Sequence, residues 1–385
     1  MMKGVQTAIT GVMVFLALIT FSTVRADAAM KHKDIIKLKG TSAYCLECHT
    51  EETPRIFEEW VNSAHGKAGV GCADCHESSK GNDDSFFHAE RFYVQTVVTT
   101  FTCAKCHKDQ MRDYFTSGHA KSLELLKTMK EDDPRYPIVS QYKDDDFRQC
   151  GGCHGVEVKV DKDGKPDPAT WPNSGAGRIN PDKGHGSCAT CHPGHLFSMA
   201  TARQPETCLR CHDGANYPEG EIYRSSLHGI LYETQGDKAV LERPGLYLDG
   251  KTIGYPTCAY CHFNGAGKGL LNRHNAAWRL PRDLTGPEAN MAPKRAEKLR
   301  NNMKSVCNQC HASSVIDRFF DEADKQLHIY QQDVMTPGLA DYKKRLESTE
   351  GDERQALLQA YNNFLVEGKR YRMTLYMGHH ERVQR

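Results

Sequence analysis

The sixteen cysteines of this 385-residue chain fall into eight pairs: Cys45/Cys48, Cys72/Cys75, Cys103/Cys106, Cys150/Cys153, Cys188/Cys191, Cys208/Cys211, Cys258/Cys261 and Cys307/Cys310. Two residues separate the members of each pair, and a histidine follows every second cysteine: His49, His76, His107, His154, His192, His212, His262 and His311. On a helical turn, positions i and i+3 share a face, so both thiols of a pair can reach one planar group, and the next residue can bring an imidazole beneath it. C-x-x-C-H is the attachment sequence of haem c, with two thioethers to the porphyrin and the histidine as proximal iron ligand. Zinc ribbons also use C-x-x-C but need no histidine directly after it, and their pairs come in twos. An oxidising compartment would favour disulfides, yet no cysteine is left over and such short spacing belongs to metal and redox motifs. The chain therefore reads as carrying eight covalently bound haem c groups.

Nineteen histidines less the eight in the motifs leaves eleven. Three recur in one pattern, aromatic-x-x-Ser-x-His-small: Trp60 to His65-Gly66, Tyr114 to His119-Ala120 and Tyr223 to His228-Gly229. Each closes a segment of helical periodicity, and a small residue after the histidine would let a haem plane come close to the backbone. These three are candidate sixth ligands. His88, His185, His195 and His274, each near an attachment motif, bring the candidates to seven. His32, His328, His379 and His380 read as solvated or packing histidines. Seven ligands for eight irons would leave one axial position open, or filled by Met, Lys or another histidine.

About 45 residues per motif is too little chain for eight separate packed domains, so the sequence predicts a mainly α scaffold of helices and loops wrapped round a close haem array. With a formal net charge of +1, a mean hydropathy of −0.63 and 26% charged residues, neither a polytopic membrane protein nor a nucleic-acid binder is expected. Lys3, the apolar run from Ala8 to Phe21 and the small residues Ala26, Ala28 and Ala29 read as a cleaved export signal over residues 1–28, with an uncleaved anchor as the other reading. The mature protein is then expected in the periplasm. Residues 29–311 form the octahaem-binding region. Residues 312–385 form a cysteine-free helical region suited to packing and oligomer contact, whose basic end (Lys369, Arg370, Arg372, Arg382, Arg385) reads as a solvated or propionate-pairing face. Residues 156–164 read as the start of a small Asp-Gly hairpin, and 167–186 and 283–293 as loops.

The chain resembles the octahaem hydroxylamine oxidoreductase family, most specifically from Ser187 through His195-Leu-Phe-Ser-Met-Ala-Thr-Ala-Arg203 to Glu206, then Glu221 to Gly229, and also at Val306 to His311 and Glu367-Gly-Lys-Arg. Octahaem nitrite and tetrathionate reductases share the motif count but use a C-x-x-C-K motif that does not occur here. The resemblance implies that the fourth haem, on His154, is catalytic, and that subunits form trimers. In oxidative members a C-terminal tyrosine crosslinks to the neighbour's catalytic haem. This chain has no tyrosine after Tyr376-Met-Gly, so it is similar to the non-crosslinked members that reduce nitrite or hydroxylamine towards ammonium. Where the family carries Gly-Pro-Asp-His-Pro, this chain reads Gly214-Ala-Asn216-Tyr217-Pro218. Asn216 and Tyr217 can donate hydrogen bonds to a nitrogen oxide but do not replace a proton donor at neutral pH. Two readings stay open: an oxidoreductase acting on hydroxylamine or nitrite, and a non-catalytic electron-transfer cytochrome or inactive partner subunit. Either would need a redox partner, a cytochrome or a quinol-linked donor, and would assemble as a homotrimer or a hetero-oligomer with a related subunit.

Overall fold

The computed structural model describes residues 40–235, 241, 256–263, 272–279 and 293–377. The signal segment, His32, His379, His380, Arg382 and Arg385 lie outside the described residues, as does the 283–293 loop up to its last residue. The chain divides into two units, Met1–Glu77 with Gly194–Phe197, and Ser78–Pro193 with Ser198–Arg385.

In the first unit α1 (Thr41–Glu52), α2 (Pro54–Asn62), α3 (Ala64–Lys67) and α4 (Cys72–His76) follow one another with almost no loop. The two attachment motifs sit in α1 and α4. Pro54 starts α2, where its missing N–H costs nothing. Asp74 reaches back to accept from the Gly71 N–H at 2.7 Å and so caps α4.

The second unit opens with a hairpin of β1 (Ser85–His88) and β2 (Phe92–Gln95), paired antiparallel with Ser85 opposite Gln95. Short helices then carry the motifs on loops: α5 (Thr100–Ala104), α6 (Lys108–Phe115), α7 (Ser122–Lys127), α8 (Tyr136–Val139), α9 (Gly151–His154), α10 (Met199–Arg203), α11 (Pro205–Leu209), α12 (Glu219–Ser225), α13 (Leu227–Gln235) and α14 (Cys258–His262). Three long helices end the described chain after α15 (Pro293–Cys307): α16 (Ser313–Tyr330), α17 (Thr336–Ser348) and α18 (Gly351–Met377). A π-helical turn, Gln331–Met335, joins α16 to α17. Pro337 explains it, since a proline in a helix removes one backbone hydrogen bond and crowds the preceding turn.

Burial in the second unit is of two kinds. Between the long helices it is apolar: Leu346, Leu357, Leu358, Tyr361 and Leu365 form one cluster and Ala323, Leu327, Met335 and Leu375 another. Around the motifs small apolar clusters, Leu123, Leu126 and Phe147 beside Cys150 and Tyr260 and Val306 beside Cys261, alternate with buried polar groups. Arg178, 3% exposed, donates to Asn180 Oδ1 at 2.7 Å, to the Asn173 carbonyl at 3.1 Å and to the Val98 carbonyl at 2.8 Å. Asn180 in turn donates to the carbonyls of Gly184 and Gly186. The 167–186 segment is thus a loop, as expected, but one pinned internally because its polar groups satisfy one another.

The hairpin expected at 156–164 is reduced to single bridges, Val160 with Pro166 and Glu157 with Ile179, around a turn in which the Gly164 N–H donates to the Asp161 carbonyl. Too few ladder bonds form to make strands. The hairpin that does form, at 85–95, lacks the two-residue Asn-Gly signal, so the sequence does not announce it. No helix among the described residues is long and apolar enough to cross a membrane. Replacing Leu358 (4% exposed) by alanine is expected to cost about 2–5 kcal/mol and to lower the thermal midpoint of the helical far-UV signal. A cost under about 1 kcal/mol would show that the long helices melt apart from the rest.

Candidate functional site

Each attachment motif is one helical turn. In the motifs beginning at Cys103, Cys188, Cys208 and Cys307 the histidine N–H donates to the first cysteine's carbonyl at 2.9–3.0 Å, and the second cysteine's N–H donates to the same carbonyl at 3.1–3.2 Å. Both thiols and the imidazole are therefore presented from one side, as the spacing predicts. Thr99 and Thr257 cap two of these turns through their hydroxyls. None of the sixteen thiols is in a disulfide.

The proximal imidazoles are oriented by their Nδ1 partners. His154 Nδ1 lies 3.2 Å from the Ser122 carbonyl, and Ser122 returns its hydroxyl to the His154 carbonyl at 3.1 Å. A carbonyl only accepts, so Nδ1 carries the proton and Nε2 keeps its lone pair for a metal. Burial lowers the basicity of His154, which keeps that ring neutral. His49 Nδ1 meets Thr53 Oγ1 at 3.1 Å, whose own proton goes to the His49 carbonyl. His212 Nδ1 faces Glu219 Oε1 at 3.3 Å, and Lys369 Nζ stands 2.5 Å from the same oxygen. Burial works to raise the Glu219 carboxyl, but the hydrogen bond from His212 and the Lys369 ammonium outweigh it and hold the group down to about 2.

Three candidate sixth ligands face proximal histidines. The rings of His195 and His76 are 6.1 Å apart and 25° from parallel. Those of His119 and His212 are 6.0 Å apart at 87°, and those of His228 and His311 are 6.1 Å apart at 49°. Metal–nitrogen bonds of roughly 2 Å on each side, plus the ring radii, put two imidazoles on one iron about 6 Å apart. The residues present thus fit haem iron. Burial, with His212, His262 and His154 as neighbours, holds His119 down to about 4, and burial holds His262 down to about 4 against a hydrogen bond with the Ala276 backbone. His274 is lowered by burial, opposed by Asp113, with His107 as the neighbouring imidazole. The other candidates are placed differently. His65 packs edge-on to Phe197 at 4.7 Å. His185 lies 3.7 Å from Glu124 and edge-on to Phe115, and His88 is exposed on β1 beside Phe86. His192 closes its own attachment turn.

Thiols of different motifs lie beside one another: Cys45 with Cys72 in the first unit, and Cys103 with Cys188, Cys153 with Cys211 and Cys208 with Cys258 in the second. Tyr260 of the seventh motif lies beside Cys310 of the eighth. In the second unit, attachment points are therefore adjacent partly out of sequence order: third with fifth and fourth with sixth, but sixth with seventh and seventh with eighth.

The two cysteines of the first motif, and those of the third, are buried to different extents. Cys48 and Cys106 are exposed, and Cys75 is half-buried. The contacts between motifs just described run through their first cysteines, Cys45, Cys72 and Cys103. Burial raises Cys45, and burial beside Cys45 pushes Cys72 up to about 11, with Cys75 adding to the rise. The reason is helical geometry. Positions i and i+3 share a face but stand about a turn apart along the axis, so one thiol can pack on a neighbouring motif while the other lies at the outer edge. Cys48, Cys75 and Cys106 keep the i+3 place that attachment needs, each within or directly after a helical turn.

Around the fourth motif, burial raises the Tyr217 phenol beside Cys153 and Cys150, and Lys369 stands 5.0 Å over its ring. Asn216 is exposed and accepts at Oδ1 from Asn362 of α18 at 2.9 Å. Arg135, paired with Asp133 at 2.7 Å, adds positive charge near His154. The C-terminal basic residues are not all a free face, since Lys369 pairs with Glu219 and Arg370 with Glu221 at 2.6 Å. Glu219 and the part played by α18 carry no spacing signal that would reveal them.

The aromatic-Ser-His repeat proves to be a clamp. Ser63 and Ser226 donate to the carbonyls of Trp60 and Tyr223 at 2.6 Å, and their hydroxyls accept from Gly66 and Gly229, so each ends one helix and caps the next. The aromatic then bonds the backbone entering another motif: Trp60 Nε1 to the Val70 carbonyl (2.8 Å), Tyr114 OH to Ala176 (2.8 Å) and Tyr223 OH to Pro256 (3.1 Å). At Gly66 and Gly229 the break itself demands a residue without a Cβ. A Cβ on Gly66 would lie 2.3 Å from the Trp60 carbonyl oxygen, and one on Gly229 1.9 Å from that of Tyr223. Glycine-to-alanine changes inside helices normally stabilise by about 0.5–1 kcal/mol. Gly66→Ala and Gly229→Ala are expected to destabilise by about 1–3 kcal/mol instead, and a stabilising sign in denaturant titration would refute the clamp.

Comparison with known proteins places these features in a family. Residues 182–334 match a model described as seven times multi-haem cytochrome CxxCH, and residues 17–77 and 102–177 match cytochrome c554 and c-prime. The matched stretches together contain all eight motifs. A probable nitrite reductase-hydroxylamine oxidoreductase fusion protein of Kuenenia stuttgartiensis is 26% identical over 351 residues, which is 74% of this chain but only 35% of that protein. The cytochrome c nitrite reductase subunit NrfA of Nitratidesulfovibrio vulgaris is 36% identical over 81 residues, 20% of this chain and 16% of that one. Among solved structures, a hypothetical multiheme protein superposes with a TM-score of 0.73 at 19% identity, covering 90% of this chain and 92% of that one. A reducing HAO-like protein complex of Kuenenia stuttgartiensis superposes with a TM-score of 0.50 at 22% identity, covering 74% and 59%. The chain spans about a third of the fusion protein's length. With its C-x-x-C-H turns, its facing imidazoles and its mainly α fold, the chain is a redox-active multihaem cytochrome c related to the hydroxylamine oxidoreductase-like proteins.

Proposed function

We propose that this protein is a periplasmic octahaem oxidoreductase that reduces a small nitrogen compound, nitrite or hydroxylamine, at the position of His154. The observation that carries the reading is the surroundings of the fourth attachment turn. His154 is buried, with Nδ1 committed to the Ser122 carbonyl; the Tyr217 phenol stands beside Cys150 and Cys153; and Lys369, paired with Glu219, stands over the Tyr217 ring. Bound haem would supply one-electron redox chemistry to a nitrogen compound. His154 would hold the haem through Nε2, and Tyr217 offers an O–H donor to the substrate. The names of the relatives support the same substrate class, and the solved HAO-like complex supports a hetero-oligomer with a related subunit. The apolar run Ala8–Phe21 supports export.

One observation favours the second reading, a non-catalytic electron carrier. Asn216 already spends its Oδ1 on Asn362, and no acid stands at Gly214–Pro218 to supply the protons that reduction to ammonium consumes.

A haem count by pyridine haemochrome is expected to return eight per chain, and the EPR spectrum of the oxidised protein one high-spin beside seven low-spin irons. Nitrite or hydroxylamine should then be turned over with a reduced viologen as donor, and His154→Ala should abolish turnover while the low-spin signals persist. Eight low-spin irons with no turnover would select the electron carrier.

A further inference from the structure

The contacts of His212 differ in kind from those of the other proximal histidines described above. His154 and His49 turn Nδ1 to a neutral oxygen, a carbonyl and a hydroxyl. His212 turns Nδ1 to an ionised carboxylate, Glu219 Oε1, at 3.3 Å. The tight turn after the sixth motif makes this possible. The Tyr217 N–H closes on the Gly214 carbonyl at 3.0 Å and the Gly220 N–H on the His212 carbonyl at 2.9 Å, so the start of α12 folds back under the imidazole. Glu219 is largely enclosed, its side chain 18% exposed, so its charge acts at short range and is weakly screened. A carboxylate accepting from Nδ1–H gives the ring imidazolate character, strengthens donation from Nε2 and stabilises the ferric state. A second group shares that charge. Lys369 of α18 stands 2.5 Å from the same oxygen, and Tyr217 lies under its ammonium.

We propose that Glu219 makes the haem held by His212 and His119 the low-potential member of the set, and that Lys369, from the C-terminal helix, limits how far its potential falls. Glu219 and Lys369 are positioning residues here; neither touches iron or substrate. Because Cys211 of this motif lies beside Cys153 of the fourth, a low-potential centre at His212 borders the site proposed for reduction, which sets a downhill direction for electrons into it. The tuning rests on haem attachment at Cys208 and Cys211 and on the His119–His212 pair. Only its use as a donor rests on the proposed reductase activity.

The 87° between the His119 and His212 rings provides the marker. Low-spin ferric haem with near-perpendicular imidazoles gives a strongly anisotropic EPR signal, whereas the 25° pair His76–His195 gives an ordinary rhombic one. The test is an EPR-monitored redox titration of the full haem-loaded protein and of Glu219→Gln, Lys369→Gln and the double variant. In Glu219→Gln the midpoint of the anisotropic signal should rise while the rhombic signal stays in place. In Lys369→Gln the same midpoint should fall. In the double variant the Lys369 effect should shrink, because the lysine acts through Glu219. An unmoved anisotropic signal in Glu219→Gln, or a uniform shift of all signals, overturns the proposal. Should Glu219→Gln fail to load haem, Lys369→Gln decides alone: a fall confined to the anisotropic signal supports the proposal, and no fall refutes it. With turnover read on the unaltered protein, unmoved potentials in the variants beside nitrite turnover would reject the tuning alone, while shifted potentials beside no turnover would reject the reductase reading alone.

Discussion

A haem bound through two thioethers needs both thiols and an imidazole on one helical turn, and the motif for such a turn occurs eight times in this chain. The rest of the structure follows from this demand. Helices in the motif-bearing part are short, because each needs only to carry one turn and then leave room for a large flat group. Little chain remains for an apolar core there. Small apolar clusters at the fourth and seventh motifs are joined by buried polar ones, such as Arg178 and Asn180 tying together the loop before the fifth motif. Such clusters hold a loop in one conformation without bulk, because every donor has a defined acceptor.

Apolar packing is concentrated instead in the long C-terminal helices, and α18 links that packing to the redox machinery. Its Leu357, Leu358 and Leu365 are buried against α17, while Asn362, Lys369 and Arg370 reach the segment that follows the sixth motif. A helix with no cysteine thereby touches Asn216, Glu219 and Glu221. Stability and electrostatic tuning lie on one element, on different faces.

Much of the site was legible beforehand. The C-x-x-C-H spacing specifies its own geometry, since i, i+3 and i+4 lie on one face of any helical turn. Spacing does not say which thiol of a pair is enclosed, and Cys48 and Cys106 lie open where Cys45 and Cys103 pack on another motif. The aromatic-Ser-His repeat was also visible, but its meaning was not. Serine there caps a helix break and the aromatic bonds a carbonyl far along the chain, and neither fact is encoded in spacing. Glu219 escaped notice because a glutamate seven residues after a histidine is ordinary until a turn folds it back. The hairpin at 85–95 escaped because four-residue strands joined by three residues, Ala89 to Arg91, without an Asn-Gly or glycine signal look like loop.

By itself, then, the sequence determined the helical class and the haem c attachment chemistry of the C-x-x-C-H turns, because thioether attachment is local and fits within five residues. Tertiary structure alone decided which imidazole faces which, at what angle, and which motifs adjoin. His119 meets His212 and His195 meets His76 across long stretches of chain, and Cys153 lies by Cys211. Those pairings depend on how loops close and what they bury, a property of the whole chain that no short motif contains.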